Sequence, residues 1–181
     1  MLFILLLFDF IASLTAILYP LHAKAQLYFD LSNISTIGTL YFTQINSQSP
    51  VFIHGTLKGL PPHHSYRGFH VHEQWIDRLI NSCTAAGPHF NPYNHSHGAQ
   101  KSPSNQRHVG DLGNILTDQN GYAVIHLTDP IIRLDDGNQS IINRTIVIHQ
   151  DVDDFGLGQY PDSKTTGHVG SHVACGVIYA T

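Results

Sequence analysis

Hydrophobic residues alternate with polar ones, or run continuously, over eight short segments of this 181-residue chain. Alternation with a period of two is typical of a strand with one buried face, and a short continuous apolar run is typical of a fully buried strand. Clusters of Gly, Pro, Asn, Asp and Ser predict turns at 48–50, 118–121 and 135–138. The predicted strands are 27–32, 38–44, 51–57, 66–72, 112–118, 121–128, 140–149 and 173–180.

Two long segments, 73–108 and 150–171, lack sustained periodicity of either kind. Loops of this length inside a compact domain are usually functional or disordered. We therefore expect the functional residues of the chain to concentrate in these two loops and at the strand ends beside them.

The N-terminus differs from the rest of the chain, because Leu2–Tyr19 is almost entirely apolar and is followed by Ala23-Lys24-Ala25. This pattern predicts a secretory signal peptide over residues 1–25, with cleavage before Gln26 and a folded domain over 26–181. The apolar run contains Asp9 and has no Lys or Arg before it, so a signal anchor is the alternative. Either way we expect an extracellular or lumenal domain, with no membrane attachment after cleavage.

Two histidines lie two residues apart in the alternating segment Phe69-His70-Val71-His72. Residues i and i+2 of a strand point to the same face, so both imidazoles would lie side by side. Neutral imidazoles suit copper or zinc. The pattern is short, and a pair of surface histidines on a polar strand face is an equally good interpretation of His70 and His72 alone.

A second group of candidate ligands, His97, His108 and Asp111, occupies a loop rich in Gly, Ser, Asn and Pro. Three such ligands and one shared residue would complete a tetrahedral zinc site, whereas the alternative is a solvated polar loop. Two further histidines, His89 and His149, bring the set to six imidazoles and one carboxylate. That number exceeds the needs of one metal and suits two adjacent ions, one of them held by imidazole alone.

Long ordered motifs along the chain resemble the copper,zinc superoxide dismutases. They are GFHVHE, AGPHFNP, RHVGDLGN, TDQNGYA, IVIHQDVDDFGLG and GSHVACGVI, and the match extends from about Gln26 to the C-terminus. The resemblance implies an all-β fold, a flattened eight-stranded Greek-key β-barrel of the immunoglobulin-like sandwich type. It also implies that the metals lie outside the barrel under the two long functional loops.

The resemblance carries specific roles to residues of this chain. Copper would be bound by His70, His72, His89 and His149, and zinc by His89, His97, His108 and Asp111. His89 would bridge the two ions, and Asp153 would hydrogen-bond His70 and His97, fixing the orientation of both rings. The implied reaction converts two superoxide anions into dioxygen and hydrogen peroxide while copper cycles between Cu(II) and Cu(I). His89 would release reduced copper and take up a proton.

One position departs from the family pattern, because GSHVACG carries His172 where members usually carry arginine. Arginine is permanently cationic and binds anions through a planar fork of donors, whereas histidine is mostly neutral at pH 7. We expect His172 to take part in catalysis and the turnover of the enzyme to be lower than is usual for the family. A satisfied polar residue at a loop–strand junction is the alternative for His172, and a non-catalytic metal-binding homologue, a copper sink or decoy, is the alternative for the chain.

The formal net charge of −4 excludes the basic footprint of a nucleic-acid-binding protein. Because the protein and its implied substrate are both anionic, attraction requires local positive charge rather than global charge. Lys164 and Arg107 are the candidates for that local charge.

The two cysteines, Cys83 and Cys175, form an even pair, which favours a disulfide in a secreted chain. The resemblance implies that this bond ties the loop before AGPHFNP to the last strand. It also implies a homodimer whose contact lies near Asn143. Four N-x-S/T sequons predict N-glycosylation, at Asn33, Asn94, Asn138 and Asn143.

Overall fold

The computed structural model describes residues 17–30, 36–62, 65–77 and 82–181. Most of the predicted signal segment and Asn33 lie outside these ranges. Eight antiparallel strands form one sheet in the order β5-β4-β7-β8-β1-β2-β3-β6, and its edge strands β5 and β6 lie next to each other. The sheet is therefore a nearly closed β-barrel, which confirms the predicted Greek-key fold class. The strands are β1 (Leu21–Phe29), β2 (Thr36–Gln44), β3 (Val51–Leu57), β4 (Ser65–His72), β5 (Asp111–Thr117), β6 (Ala123–Asp129), β7 (Thr145–His149) and β8 (His172–Ala180).

Among the residues that the structure describes, helices occur only as short turns in the two long loops. A 3-10 turn spans Cys83–Ala86, another spans Ser104–Gln106, and the single-turn helix α1 spans Ser163–Thr166. Within the described ranges, no helix is long and apolar enough to span a membrane.

The barrel interior is built by strand alternation. In β1, Ala23, Ala25 and Leu27 are buried while the residues between them are exposed. β4 and β7 are buried along almost their whole length, because the core covers one face and the long loops cover the other. The functional residues lie under those loops.

Two strand starts differ from the predictions by five residues or more. β1 begins at Leu21 rather than at residue 27, so the strand crosses the predicted cleavage site before Gln26. β7 begins at Thr145 rather than at residue 140. Asn143 adopts a left-handed conformation with φ of 61°, which interrupts an extended strand.

Candidate metal centre

β4 carries two of the predicted ligands on the face turned away from the barrel interior. Phe69 and Val71 belong to the core, whereas His70 and His72 alternate with them and are buried beneath the first long loop. The prediction that the two imidazoles share one face of a strand is confirmed. The alternative of two exposed surface histidines is wrong.

The neighbouring strand β7 adds His149 at its C-terminal end. Its Nε2 atom lies 3.1 Å from Nε2 of His72. Together with His70 and His89, these residues each offer a ring nitrogen within 4.8 Å of the others. The result is a buried group of four imidazoles without a carboxylate.

His89 reaches this group because its backbone docks against β4. The Phe90 N–H donates to the Val71 carbonyl at 2.8 Å, and the Gly110 N–H donates to the Phe90 carbonyl at 2.9 Å. Gly110 must be glycine here, since a Cβ atom would collide with the Val71 carbonyl oxygen. The docking directs the His89 ring between two groups of ligands.

The second group converges on one oxygen of Asp111, the first residue of β5. Its Oδ1 atom lies 3.0 Å from Nδ1 of His89 and 3.1 Å from Nδ1 of both His97 and His108. Its Oδ2 atom accepts hydrogen bonds from the backbone N–H groups of Gly98 and His108 at 3.1 and 2.8 Å. The backbone thus fixes the carboxylate while its other oxygen faces three imidazoles.

Several imidazole nitrogens in these groups are buried without a hydrogen bond of acceptable geometry. They are His70 Nδ1, His89 Nε2, His97 Nδ1 and His108 Nδ1. A buried polar atom without a partner is costly, so such a concentration indicates nitrogens arranged to bind a metal. A tetrahedral zinc ion with bonds of about 2.0–2.1 Å spaces its ligand atoms about 3.3 Å apart. The 3.0–3.1 Å spacing around Asp111 fits that ion closely.

Asp153, from the second long loop, links the two groups. Its Oδ2 atom lies 2.9 Å from His70 Nε2, and its Oδ1 atom lies 2.7 Å from His97 Nε2. Each contact engages Nε2 of the histidine and leaves Nδ1 of the same ring facing its ligand group. Asn114 holds Asp153 by two hydrogen bonds to its backbone, at 2.8 and 2.9 Å. Gly167, with φ of 72°, leaves room for the contact, since a Cβ atom there would overlap Asp153.

The buried imidazoles of the four-imidazole group are electrically neutral. Burial holds the pKa of His70, His72 and His149 well below the ordinary value of 6.5, and the neighbouring imidazoles lower it further. Burial also lowers the pKa of His89, against the opposing effect of Asp111. Neutral imidazole is the form that binds a metal.

The pKa values in the group around Asp111 shift in a different way. Burial lowers the pKa of His97, but the carboxylates of Asp111 and Asp153, 3.1 and 2.7 Å from its two ring nitrogens, outweigh that effect and raise the pKa to about 9. Burial opposes ionisation of Asp111, yet the close contacts of its Oδ1 atom with His108, His89 and His97 hold the pKa of the carboxyl well below the ordinary value of 3.8. Without a metal, His97 therefore carries the positive charge that balances this carboxylate.

His172 lies at the rim of the four-imidazole group. Its Nδ1 atom lies 2.9 Å from the Cys83 carbonyl oxygen, an acceptor to which it donates. Its ring meets those of His72 and His149 at centroid distances of 4.8 and 4.9 Å. The arrangement places an imidazole, rather than a guanidinium, beside the opening of the group.

The two candidates for local positive charge differ in position. Lys164 is exposed and lines a surface cavity of about 570 Å³ together with His89 and His108. Arg107 is fully buried, with its guanidinium 2.7 Å from Asp129 and donating to the carbonyls of His108 and Val109. The expectation that Arg107 attracts an anion from solvent is therefore wrong, because the buried side chain instead anchors the loop that carries His97 and His108.

Cys83 and Cys175 form a disulfide, which connects the loop before His89 to β8.

Sequence reasoning missed Asn114, Gly167 and the anchoring role of Arg107. Asn114 belongs to the HVGDLGN motif, but nothing in the linear pattern indicates that it holds a loop 39 residues away.

Comparison with known proteins places this geometry in a family. The family model for copper/zinc superoxide dismutase matches residues 36–178. The chain is 49% identical to a Cu-Zn superoxide dismutase of Candida albicans over 144 residues, covering 80% of this chain and 90% of that protein. It is 46% identical to superoxide dismutase 5 of Dictyostelium discoideum over 142 residues, covering 78% and 88%. A crystal structure of the clock protein EA4 superposes with a TM-score of 0.77 at 41% identity, covering 91% of this chain and 98% of that one.

The chain therefore belongs to the copper/zinc superoxide dismutase family. The family implies copper and zinc, and the two ligand groups described above are the histidine-rich positions at which the chain could hold them.

Proposed function

We propose that this chain is a secreted superoxide dismutase, an oxidoreductase that holds one copper and one zinc ion. Copper would be held by His70, His72, His89 and His149, and zinc by His89, His97, His108 and Asp111. One observation carries the assignment: His89 belongs to both four-residue groups, with Nδ1 toward Asp111 and Nε2 toward the other imidazoles. A shared imidazole of this kind couples two ions of different ligand type.

Copper, when bound, supplies the one-electron chemistry by which two superoxide anions and two protons give dioxygen and hydrogen peroxide. The chain's own contribution is to position nitrogens and protons. His89 Nε2 is the atom at which a proton can be held on the copper side while Nδ1 stays beside Asp111. Asp153 keeps His70 and His97 in fixed orientations, because it occupies their outward nitrogens.

Metal analysis combined with a superoxide dismutation assay on the purified protein tests this proposal. His149→Ala should remove copper and leave most of the zinc, whereas His97→Ala should remove zinc preferentially. His22→Ala is the matched control, since His22 is exposed on β1, away from the centre. A wild-type protein that takes up no copper after copper loading would overturn the assignment.

A non-catalytic metal-binding protein is the competing function, and His172 is the observation that favours it. The fully loaded protein distinguishes the two. A copper sink would bind both metals with full stoichiometry and yet leave superoxide decay at the spontaneous rate of chelator-treated buffer without protein. We favour the enzyme, because loss of catalysis would leave no reason for the complete ligand set around His89 and Asp153.

Secretion is supported by three features of the chain: the apolar segment Leu2–Tyr19, the disulfide, and sequons on exposed residues. Asn94, Asn138 and Asn143 are all solvent-exposed. Expression in a secreting host, followed by analysis of the medium and of the glycopeptides, tests this localisation. Retention of the protein in the membrane fraction would favour the signal-anchor alternative.

We also propose a homodimer that forms through the face of β1 and β8. Trp75 and Tyr179 are 52% and 46% exposed and are joined by a 3.2 Å hydrogen bond from Trp75 Nε1 to the Tyr179 hydroxyl. They line a groove of about 320 Å³ with Lys24 and Tyr28. Exposed aromatic surface of this kind is typical of an interface.

The sequon at Asn143 bears on that dimer, because the Asn143 N–H donates to the Ile178 carbonyl on β8. A glycan at Asn143 would stand beside the proposed contact and could not be buried in a dry interface. We expect Asn143 to be unmodified in the dimer. Light scattering and glycopeptide mass spectrometry on one sample test this expectation. A fully glycosylated Asn143 in a dimer of this geometry would contradict the argument that the glycan and the dimer contact exclude each other.

A further inference from the structure

Two exposed histidines face each other on the outer surface of the barrel, away from the metal centre. His54 on β3 and His126 on β6 are direct partners in the antiparallel register. Their chain neighbours Ile53 and Ile125 are buried in the core, so both imidazoles project outward. Side chains directly opposite each other in an antiparallel pair have Cβ atoms about 4.5–5.5 Å apart, within reach of one metal ion.

Aromatic side chains pack against both imidazoles. The Phe52 ring stacks on His54 with centroids 5.2 Å apart and meets His126 edge to face at 4.7 Å. Tyr41 stacks on His54 at 5.5 Å. This packing restricts the orientations that the two rings can adopt.

In the part of the chain that the structure describes, neither His54 nor His126 makes a hydrogen bond through its ring. Other exposed histidines behave differently: His22 contacts Thr43 at 3.2 Å and His168 contacts Asp162 at 2.8 Å. Four ring nitrogens without partners thus lie on two adjacent, oppositely placed side chains.

We propose that His54 and His126 form a third, exposed metal site, which takes a divalent transition ion such as Cu²⁺ or Zn²⁺ through two imidazoles. Imidazole is a preferred ligand of both ions. Water would complete the coordination, so the ion would exchange more readily than in the buried centre. Lys24 lies in the same cross-strand row, but β2 and Tyr41 intervene. The separation of about 10 Å is close to one Debye length at physiological ionic strength, which weakens the repulsion.

This site does not depend on the function proposed above. Among the described residues, neither His54 nor His126 belongs to a ligand group of the buried centre, so an ion on this pair would share no ligand with that centre. It would appear as an additional ion per chain once the buried positions are filled.

Titration of the fully copper- and zinc-loaded protein with Cu²⁺, followed by calorimetry and electron paramagnetic resonance, tests the proposal. The wild type should bind one further ion, with two coordinating nitrogens in its spectrum. His54→Phe and His126→Phe keep an aromatic ring at each position but remove the nitrogens. Loss of an outer partner of a ligand costs about 10–100-fold in affinity, so loss of a ligand should cost at least that much.

His22→Phe is the matched control, and it should leave the additional ion in place. All three variants should retain the buried metals, so a failure to fold is visible as loss of those ions. The proposal is overturned if the wild type binds no further ion. It is equally overturned if the ion persists in the His54→Phe/His126→Phe double variant, which would move the site elsewhere, for example to His63–His64 outside the described residues.

Discussion

His172 on β8 lies directly across from His149 on β7, and their imidazole rings meet at right angles with centroids 4.9 Å apart. The residue that replaces the family's usual arginine therefore contacts a proposed copper ligand. It cannot present the permanent charge and planar fork of a guanidinium at the opening of the centre.

Substitution of His172 by arginine should raise the rate of superoxide dismutation. A permanent cation at the opening attracts the anion, and local focusing of this kind raises association rates by about tenfold or more. The gain should shrink as ionic strength increases, because salt screens the attraction. The measurement is pulse radiolysis or stopped flow on protein with verified metal content. His22→Arg adds the same charge far from the centre. An equal gain in that variant would show that the rate does not depend on a cation at position 172.

Substitution of Asp153 by asparagine should weaken both metal sites together. The amide keeps the shape of the carboxylate but removes the charge that orients and strengthens His70 and His97 as ligands. We expect affinities for copper and zinc to fall by about 10–100-fold, measured by competition with a chelator. The control is Asp154→Asn, because Asp154 contacts Ser163 and Gly156 in the same loop but no proposed ligand. Equal losses in both variants would indicate a general disturbance of the loop.

Zinc binding to the metal-free protein should release protons at neutral pH. The pKa of His97 is raised to about 9, so its imidazole is protonated at pH 7 and must lose that proton to coordinate zinc. Apparent zinc affinity should therefore rise with pH until about pH 9. Calorimetry in buffers of different ionisation enthalpy measures the effect. A heat of binding independent of the buffer between pH 7 and 8 would contradict it.

The metal-free protein should lose stability as the pH falls below about 6.5. The folded-state pKa values of His70, His72 and His149 are lowered, so the unfolded chain takes up protons first and is favoured in acid. His97, whose pKa is raised, has its full stabilising effect below 6.5 and loses it as the pH rises through about 9. Urea unfolding at pH 6.5 and pH 5 should show the lower midpoint at pH 5. An unchanged midpoint would argue against neutral buried imidazoles in the folded state.

Cleavage before Gln26 would remove the first five residues of β1, including the buried Ala23 and Ala25. Their ladder with β2 and β8 would be lost, at a cost of about 0.5–1.5 kcal/mol for each hydrogen bond. We therefore expect the secreted chain to begin upstream of Leu21, as N-terminal sequencing would determine. A chain expressed from Gln26 should melt at a lower temperature than one expressed from Tyr19. Equal melting temperatures would leave the site before Gln26 in agreement with the fold.

The sequence by itself determined the features that depend on near neighbours in the chain. Strand alternation is a local property, so the pattern predicted the strands and placed His70 and His72 on one face. The ordered motifs indicated which imidazoles to expect at the centre, and the structure brings every one of them into a ligand group.

The tertiary structure alone decided the features that depend on register and loop packing. Asp153 contacts His70, which lies 83 residues away in the chain. Arg107 is buried and pairs with Asp129. The facing of His54 and His126 likewise depends on how β3 and β6 align. A cross-strand partner is fixed by register, which a slip of one residue would change entirely. Linear periodicity records which face a side chain occupies but not which distant side chain it meets there.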